Sequence, residues 1–149
     1  MILDAEGMAR KFQVVVDCHN PDRMAAFWSV ALGYPIQRPL DGHRSWLEYQ
    51  LAKGFPANEH ARFAAIADPD SGDRVCFLGV PEAKDGKNRL HLDIQATAPG
   101  DALPARQAKV DALVAELRGH GGSVLRTGRE RGQYFVTMAD VEGNEFCVH

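Results

Sequence analysis

The chain repeats itself, and that constrains its fold more than any other feature of the sequence. Ala67-Asp-Pro-Asp-Ser-Gly-Asp-Arg-Val-Cys76 returns as Ala139-Asp-Val-Glu-Gly-Asn-Glu-Phe-Cys147, one residue shorter. In both copies a glycine turn is followed four residues later by a cysteine. A spacing of about 75 residues is too long for a solenoid unit and fits a duplicated module.

The sequence around each copy supports duplication. In the first half, Phe12-Gln-Val-Val-Val-Asp-Cys18 is a β-branched run that predicts a strand. Asn20, Pro21 and Asp22 are the residues a helix start prefers at its cap, first position and first turn. Met24, Phe27, Trp28 and Ala31 then fall on one helical face, and Leu32-Gly33 ends it. Strands are expected near Pro35–Arg38, Ser45–Leu51, Arg62–Ala67 and Arg74–Val80, with a turn at Asp68–Gly72 between the last two. Lys84-Asp-Gly-Lys87 reads as a linker. In the second half, Arg89–Gln95 alternates as a half-buried strand does. Pro104 to Gly119 is expected to be a helix burying Val110, Leu113, Val114 and Leu117. Strands should follow at Ser123–Thr127, Gln133–Ala139 and Glu145–His149, with a loop over Arg126–Gly132. The expected class is therefore α+β: two tandem βαβββ modules, about residues 12–82 and 88–149, in a single domain over residues 1–149.

Composition narrows the partners. The 149 residues are 45% hydrophobic and 25% charged, a globular balance. Net charge is −3 with no basic cluster, so nucleic acid is not an expected partner. No apolar run approaches the roughly 20 residues a membrane span needs. The opening MILDAEGMARKF carries acids early and does not read as a signal peptide, which points to the cytoplasm. Cys18, Cys76 and Cys147 are too few and too far apart for a disulfide framework or a CxxC zinc knuckle. There is no GxSxG, phosphate loop or GxGxxG after a strand.

Strand alternation assigns faces. Phe12, Val14, Val16, Val75, Phe77, Leu90, Leu92, Ile94, Phe146 and Val148 should pack against the helices. The opposite face then carries Gln13, Val15, Asp17, Arg74, Cys76, Leu78, His91, Asp93, Gln95, Glu145, Cys147 and His149. So polar a sheet face is unusual for a core and suggests a ligand site, because buried charge is costly unless paired or functional. Ion pairing among Asp93, Arg74 and Glu145 at the module interface is the alternative. Trp46, Tyr49 and Phe55 are either ordinary packing or a wall that stacks on a flat ligand, with Trp46 the best candidate.

Taken in order, Asp17-Cys-His-Asn-Pro-Asp-Arg23, Ala26-Phe-Trp28, Ala31-Leu-Gly-Tyr34, Val80-Pro-Glu82, Lys87-Asn-Arg-Leu-His-Leu-Asp93 and Ala139–Cys147 resemble the vicinal-oxygen-chelate superfamily. Its members are glyoxalase-, bleomycin-resistance- and dioxygenase-like proteins, and the likeness is to the glyoxalase-like group common in actinobacteria. The resemblance implies a cup-shaped mixed or antiparallel sheet, helices outside and a cavity within. It also implies metal-ligand positions at Gln13, Cys76, His91 and Cys147. Cysteine stands where the superfamily usually has glutamate, so a hard ion such as Mg or Mn would lose its anionic ligands. A cup without metal is expected, with zinc the ion this set would favour.

Two functions stay open. One is a lyase- or isomerase-type enzyme, distinct from glyoxalase I, with His91 as acid or base oriented by Asp93 or Glu145. Histidine suits proton transfer near neutral pH. The other is a metal-free protein that binds or sequesters a small molecule such as an antibiotic, as bleomycin-resistance proteins do. In either case the ligand contacts would be Gln13, Asp17, Trp46, Arg74 and Cys147, the partner a small molecule, and the assembly a homodimer.

Overall fold

The start of the chain follows its own punctuation. In the computed structural model, which describes residues 10–149, strand β1 spans Val14–Cys18 and helix α1 spans Pro21–Leu32. Most of the opening segment read for a leader lies outside the described residues. Asn20 caps α1 by accepting a hydrogen bond from the Arg23 backbone N–H at 3.1 Å. Gly33 closes the helix in the left-handed conformation (φ 71°), as its lack of a side chain permits. Met24, Phe27, Trp28 and Ala31 are buried as their spacing predicts.

Module one continues with α2 (Trp46–Ala52), β2 (Phe63–Ala67) and β3 (Arg74–Gly79). Here the structure corrects two expectations. The Ser45–Leu51 segment is helical because Ser45 and Glu48 cap its start much as a capping box does, with Glu48 reaching the N–H one residue before the cap. Ser45 Oγ accepts from the Glu48 N–H at 3.1 Å, and Glu48 Oε2 accepts from the Arg44 N–H at 2.7 Å. Gln50 then ties the helix down, donating to the Ala61 carbonyl (3.0 Å) and accepting from the Ala61 N–H (2.9 Å). The strand expected at Pro35–Arg38 is reduced to one bridge, Ile36 opposite Ile66.

Module two contains β4 (Asp93–Ile94), α3 (Leu103–Gly119), β5 (Ser123–Glu130), β6 (Gln133–Ala139) and β7 (Glu145–Val148). The Arg126–Gly132 loop is a further correction. Strand β5 runs through it to Glu130, leaving Arg131 and Gly132 as a two-residue turn, both at positive φ (52° and 73°). That is what a tight hairpin turn requires. The Arg89–Gln95 strand contracts to β4, and Leu90, expected to pack inward, is 82% exposed. Phe12, at 88% exposure, likewise lies ahead of its strand instead of in the core.

The strand orders are β1-β3-β2 and β4-β7-β6-β5. Each sheet is open and mixed: the module's first strand runs parallel to its last, and the other pairs are antiparallel. The register carries the duplication to residue level. Val15 lies opposite Cys76 in one sheet, and Asp93 lies opposite Cys147 in the other. Gln13 and His91 therefore occupy equivalent positions, two residues before Val15 and Asp93 and just ahead of β1 and β4.

One core spans both modules, with Phe27, Trp28 and Phe146 in edge-to-face contact at centroid distances of 5.0–5.8 Å. The turn between β6 and β7 fastens the modules. Buried Asp140 accepts from Trp28 Nε1 at 3.0 Å and from the Glu142 and Asn144 backbone N–H groups at 2.9 and 3.0 Å. Glu142 accepts from the His19 and Asn20 N–H groups just ahead of α1. No described helix is long and apolar enough to cross a membrane.

Candidate functional site

The inner face of module two gathers the most chemistry. His91 Nε2 lies 3.2 Å from Asp93 Oδ1, and strand pairing sets Cys147 across from Asp93. One donor atom from each of the three lies within 4.8 Å of the others. They line an open groove of about 630 Å³ together with Gln95, Arg106, Phe135 and His149. The His91 and Asp93 side chains are about half exposed, at 47% and 55%. Arg106 is already engaged, donating to Thr97 Oγ1 and to the carbonyls of Ala98, Pro99 and Asp101. It straps the loop that forms one wall. Thr137 Oγ1 lies 3.4 Å from Cys147 Sγ and steadies the thiol.

The donor chemistry tests which metal this face could hold. Nitrogen and oxygen ligands at about 2.0–2.1 Å from a tetrahedral zinc stand about 3.3 Å apart. The His91–Asp93 separation of 3.2 Å meets that spacing, and Cys147 is near enough to close on it as a third ligand. An imidazole, a thiolate and one carboxylate suit zinc better than Mg or Mn, which favour oxygen-rich, anionic ligand sets.

Glu145 is drawn elsewhere. Its carboxylate accepts from the Asn88 N–H at 3.1 Å and faces Lys84 and Lys87 at 3.5 and 4.0 Å. Hydrogen bonds from its own backbone N–H and from that of Asn88, together with the positive charges of Lys84 and Lys87, hold its carboxyl below the usual carboxylate range. It anchors the linker between modules.

The inner face of module one is a separate group. Gln13 Oε1 accepts from Arg74 Nη1 at 3.0 Å and from Cys76 Sγ at 3.5 Å. Arg74 also donates to Gln37 at 2.6 Å and lies over the Phe63 ring, so its partners are amides and an aromatic face, not Asp93 or Glu145. Trp46 packs edge-on against Tyr49 and Phe63, Phe55 is exposed, and Asp17 is exposed on β1. The set Gln13, Cys76, His91 and Cys147 thus divides by module, with Asp93 joining the second pair. Alternation placed Asp93 on the right face but not beside Cys147; the register supplies that. Gln13 and Asp93 do line one further cavity of about 830 Å³ with Phe12 and Leu92.

The three thiols differ in a measurable way. Burial pushes Cys18 up to about 12 and raises Cys76 as well, whereas Cys147 is part-exposed in the groove. Since the thiolate is the reactive form, iodoacetamide should label Cys147 first in the native protein. Cys18 and Cys76 should label only on unfolding; mass spectrometry showing equal native labelling of all three would contradict the placement.

Residues 13–149 match the family model described as the glyoxalase-like domain. No curated protein matches the sequence. Solved structures share the fold. A glyoxalase/bleomycin resistance protein/dioxygenase family enzyme from Burkholderia phytofirmans is 15% identical, with a TM-score of 0.61 over 91% of this chain and 94% of that one. The fosfomycin resistance protein FosX from Listeria monocytogenes, solved with Mn(II) and a dihydroxypropylphosphonic acid, is 11% identical, with a TM-score of 0.64 over 95% and 92%. The oxidase ChaP-H2 is 11% identical, with a TM-score of 0.56 over 95% and 92%.

Proposed function

The chain belongs to the family of glyoxalase-like domains, and from that premise we propose that it is a small-molecule enzyme of the lyase or isomerase type with His91 as its acid–base residue. The observation that carries this reading is the His91–Asp93 pair beside Cys147 in the module-two groove. With Nε2 donating to Asp93, the Nδ1 lone pair is left to take a proton from a carbon or hydroxyl of the substrate. The Asp93 carboxylate then stabilises the imidazolium until the proton is returned at another atom. Gln95 offers an amide to the polar part of the ligand and Phe135 an apolar wall. Gln13, Arg74, Asp17 and Trp46 would contact the ligand from module one. Glyoxalase I chemistry is not proposed, because cysteines stand at both positions of the usual glutamates.

Mn(II) in FosX supports a metal reading for this fold as the alternative to His91 acid–base chemistry; in that case His91, Asp93 and Cys147 would hold zinc, which would supply Lewis-acid polarisation of a carbonyl. A homodimer is part of the proposal. Val15, Phe12 and Leu90 are exposed (51%, 88% and 82%) on or beside the edge strands β1 and β4, an apolar surface that a second copy would cover while closing the groove. Sedimentation should give twice the chain mass; a monomer at high protein concentration would contradict this.

The test is a thermal-shift screen of small polar carbonyl compounds and antibiotics, with hits assayed for turnover and the protein assayed for metal. A stabilising compound that is consumed supports the enzyme. Stabilisation without turnover supports the second reading, a sequestering protein, which the missing glutamates favour. Near-stoichiometric Ni, Mn or Fe would overturn the donor-set argument.

A further inference from the structure

Module one departs from module two between α1 and β2. Where module two has strand β5, module one has a single bridge, a turn of 3-10 helix at Leu40–Gly42 and the short helix α2. This departure borders an open cavity of about 450 Å³ that shares no lining residue with the His91 groove. Arg38, Arg44 and Arg62 line it, with His60, Trp46 and Phe63.

Two observations single this cavity out. The first is charge. Among the described residues, neither Arg38 nor Arg44 has a carboxylate within ion-pair distance or a hydrogen bond from its side chain, and Arg62 donates only to the His19 carbonyl. Glu48, the nearest acid in sequence to Arg44, takes the Arg44 backbone N–H instead of its guanidinium. Asp22 is the acidic lining residue, and it is exposed. Three arginines, exposed to solvent and each carrying a planar fork of donors, therefore line one cavity without an ion-pair partner among the described residues. The second is an orphan donor. The indole N–H of Trp46 is buried and has no hydrogen-bond partner among the described residues. Native structures seldom leave a buried donor unpaired, and such a group calls for an acceptor. The ring itself is pinned by Phe63 at 5.1 Å and Tyr49 at 5.8 Å, so the N–H cannot easily turn away to water.

We propose that this cavity is a second ligand site, for a small organic anion whose carboxylate or phosphoryl group is held by Arg38, Arg44 and Arg62 beside the Trp46 ring. His60 donates Nε2 to the Phe55 carbonyl, which leaves Nδ1 for a hydroxyl of the ligand. Phe63 and the indole face give its apolar body a surface.

The chain has two tryptophans, so two indole N–H signals report on it by NMR. The Trp28 signal belongs to the hydrogen bond with Asp140 and serves as an internal reference. Titration of the full chain with inorganic phosphate and, separately, with benzoate should shift the Trp46 signal, assigned with Trp46→Phe, and leave the Trp28 signal in place. Movement with phosphate alone assigns the site to phosphoryl groups; movement with benzoate alone assigns it to aromatic carboxylates. The double variant Arg38→Ala/Arg44→Ala alters two exposed side chains and should stay folded by circular dichroism. Its affinity for the responding anion should fall about tenfold or more. A Trp46 signal that responds to neither anion, or that titrates equally in the folded double variant, would overturn the proposal.

Discussion

Asp140→Ala is expected to destabilise the protein by about 3–4 kcal/mol, enough to lower Tm by roughly 10 °C in a chain of this size. The reason is the number of donors that depend on one buried carboxylate. Trp28 Nε1, two backbone N–H groups and the Asn144 amide all point at it. Removing it leaves a core indole and a turn unsatisfied at once, and unpaired buried donors cost more than the net worth of each bond. The loss should also be shared between modules, because Trp28 belongs to α1 and Asp140 to the turn before β7. The duplicated position is the control. Asp68 accepts from Asp70 and Ser71 within its own turn. Asp68→Ala should therefore cost only a fraction of the Asp140 loss. Equal Tm shifts for the two variants would contradict the assignment of Asp140 as the inter-module fastening.

His91→Ala is expected to lower kcat/KM by about 10² to 10⁴-fold on any substrate the screen identifies, the usual contribution of a positioned acid–base group. The side chain is half exposed and bonds to Asp93 alone among the described residues, so stability should change by no more than about 0.5 kcal/mol. Asp93→Asn keeps the shape but removes the charge that orients and stabilises the imidazolium, and should lose less, about tenfold. Unchanged turnover in His91→Ala would remove the catalytic reading while leaving ligand binding intact.

Much of this was legible in the sequence because the same short pattern encodes both halves. The repeated Ala-Asp…Gly turn and the cysteine four residues after its glycine predicted equivalent strands, and the register of Val15 with Cys76 and Asp93 with Cys147 bears that out. Caps and helical faces were legible for α1, where Asn20, Pro21 and Gly33 all agree. Helix α2 was not. Its aromatic and aliphatic residues suit a strand, and the deciding signal, Ser45 three residues before Glu48, is a local capping bond that outweighs them. The Trp28–Asp140 bond was beyond reach for a different reason: its partners are 112 residues apart, and no local rule joins them.

In the groove, alternation assigned His91, Asp93, Glu145 and Cys147 to one face. Alternation carries no distances, so it could not choose between Asp93 and Glu145 as the partner of His91. The linker lysines and Asn88 decide that by drawing Glu145 away. Nor could it foresee that Arg74 would face Gln13 and Gln37 instead of an acid.

The central claim is that a small molecule binds where His91, Asp93 and Cys147 meet. Chemical-shift mapping on labelled protein with the strongest compound from the thermal-shift screen tests it most directly. The account predicts the largest changes at the His91 imidazole and at the backbone N–H groups of Asp93 and Cys147, with binding weakened in His91→Ala. Shifts confined to residues outside this groove, with affinity for His91→Ala unchanged, would contradict it.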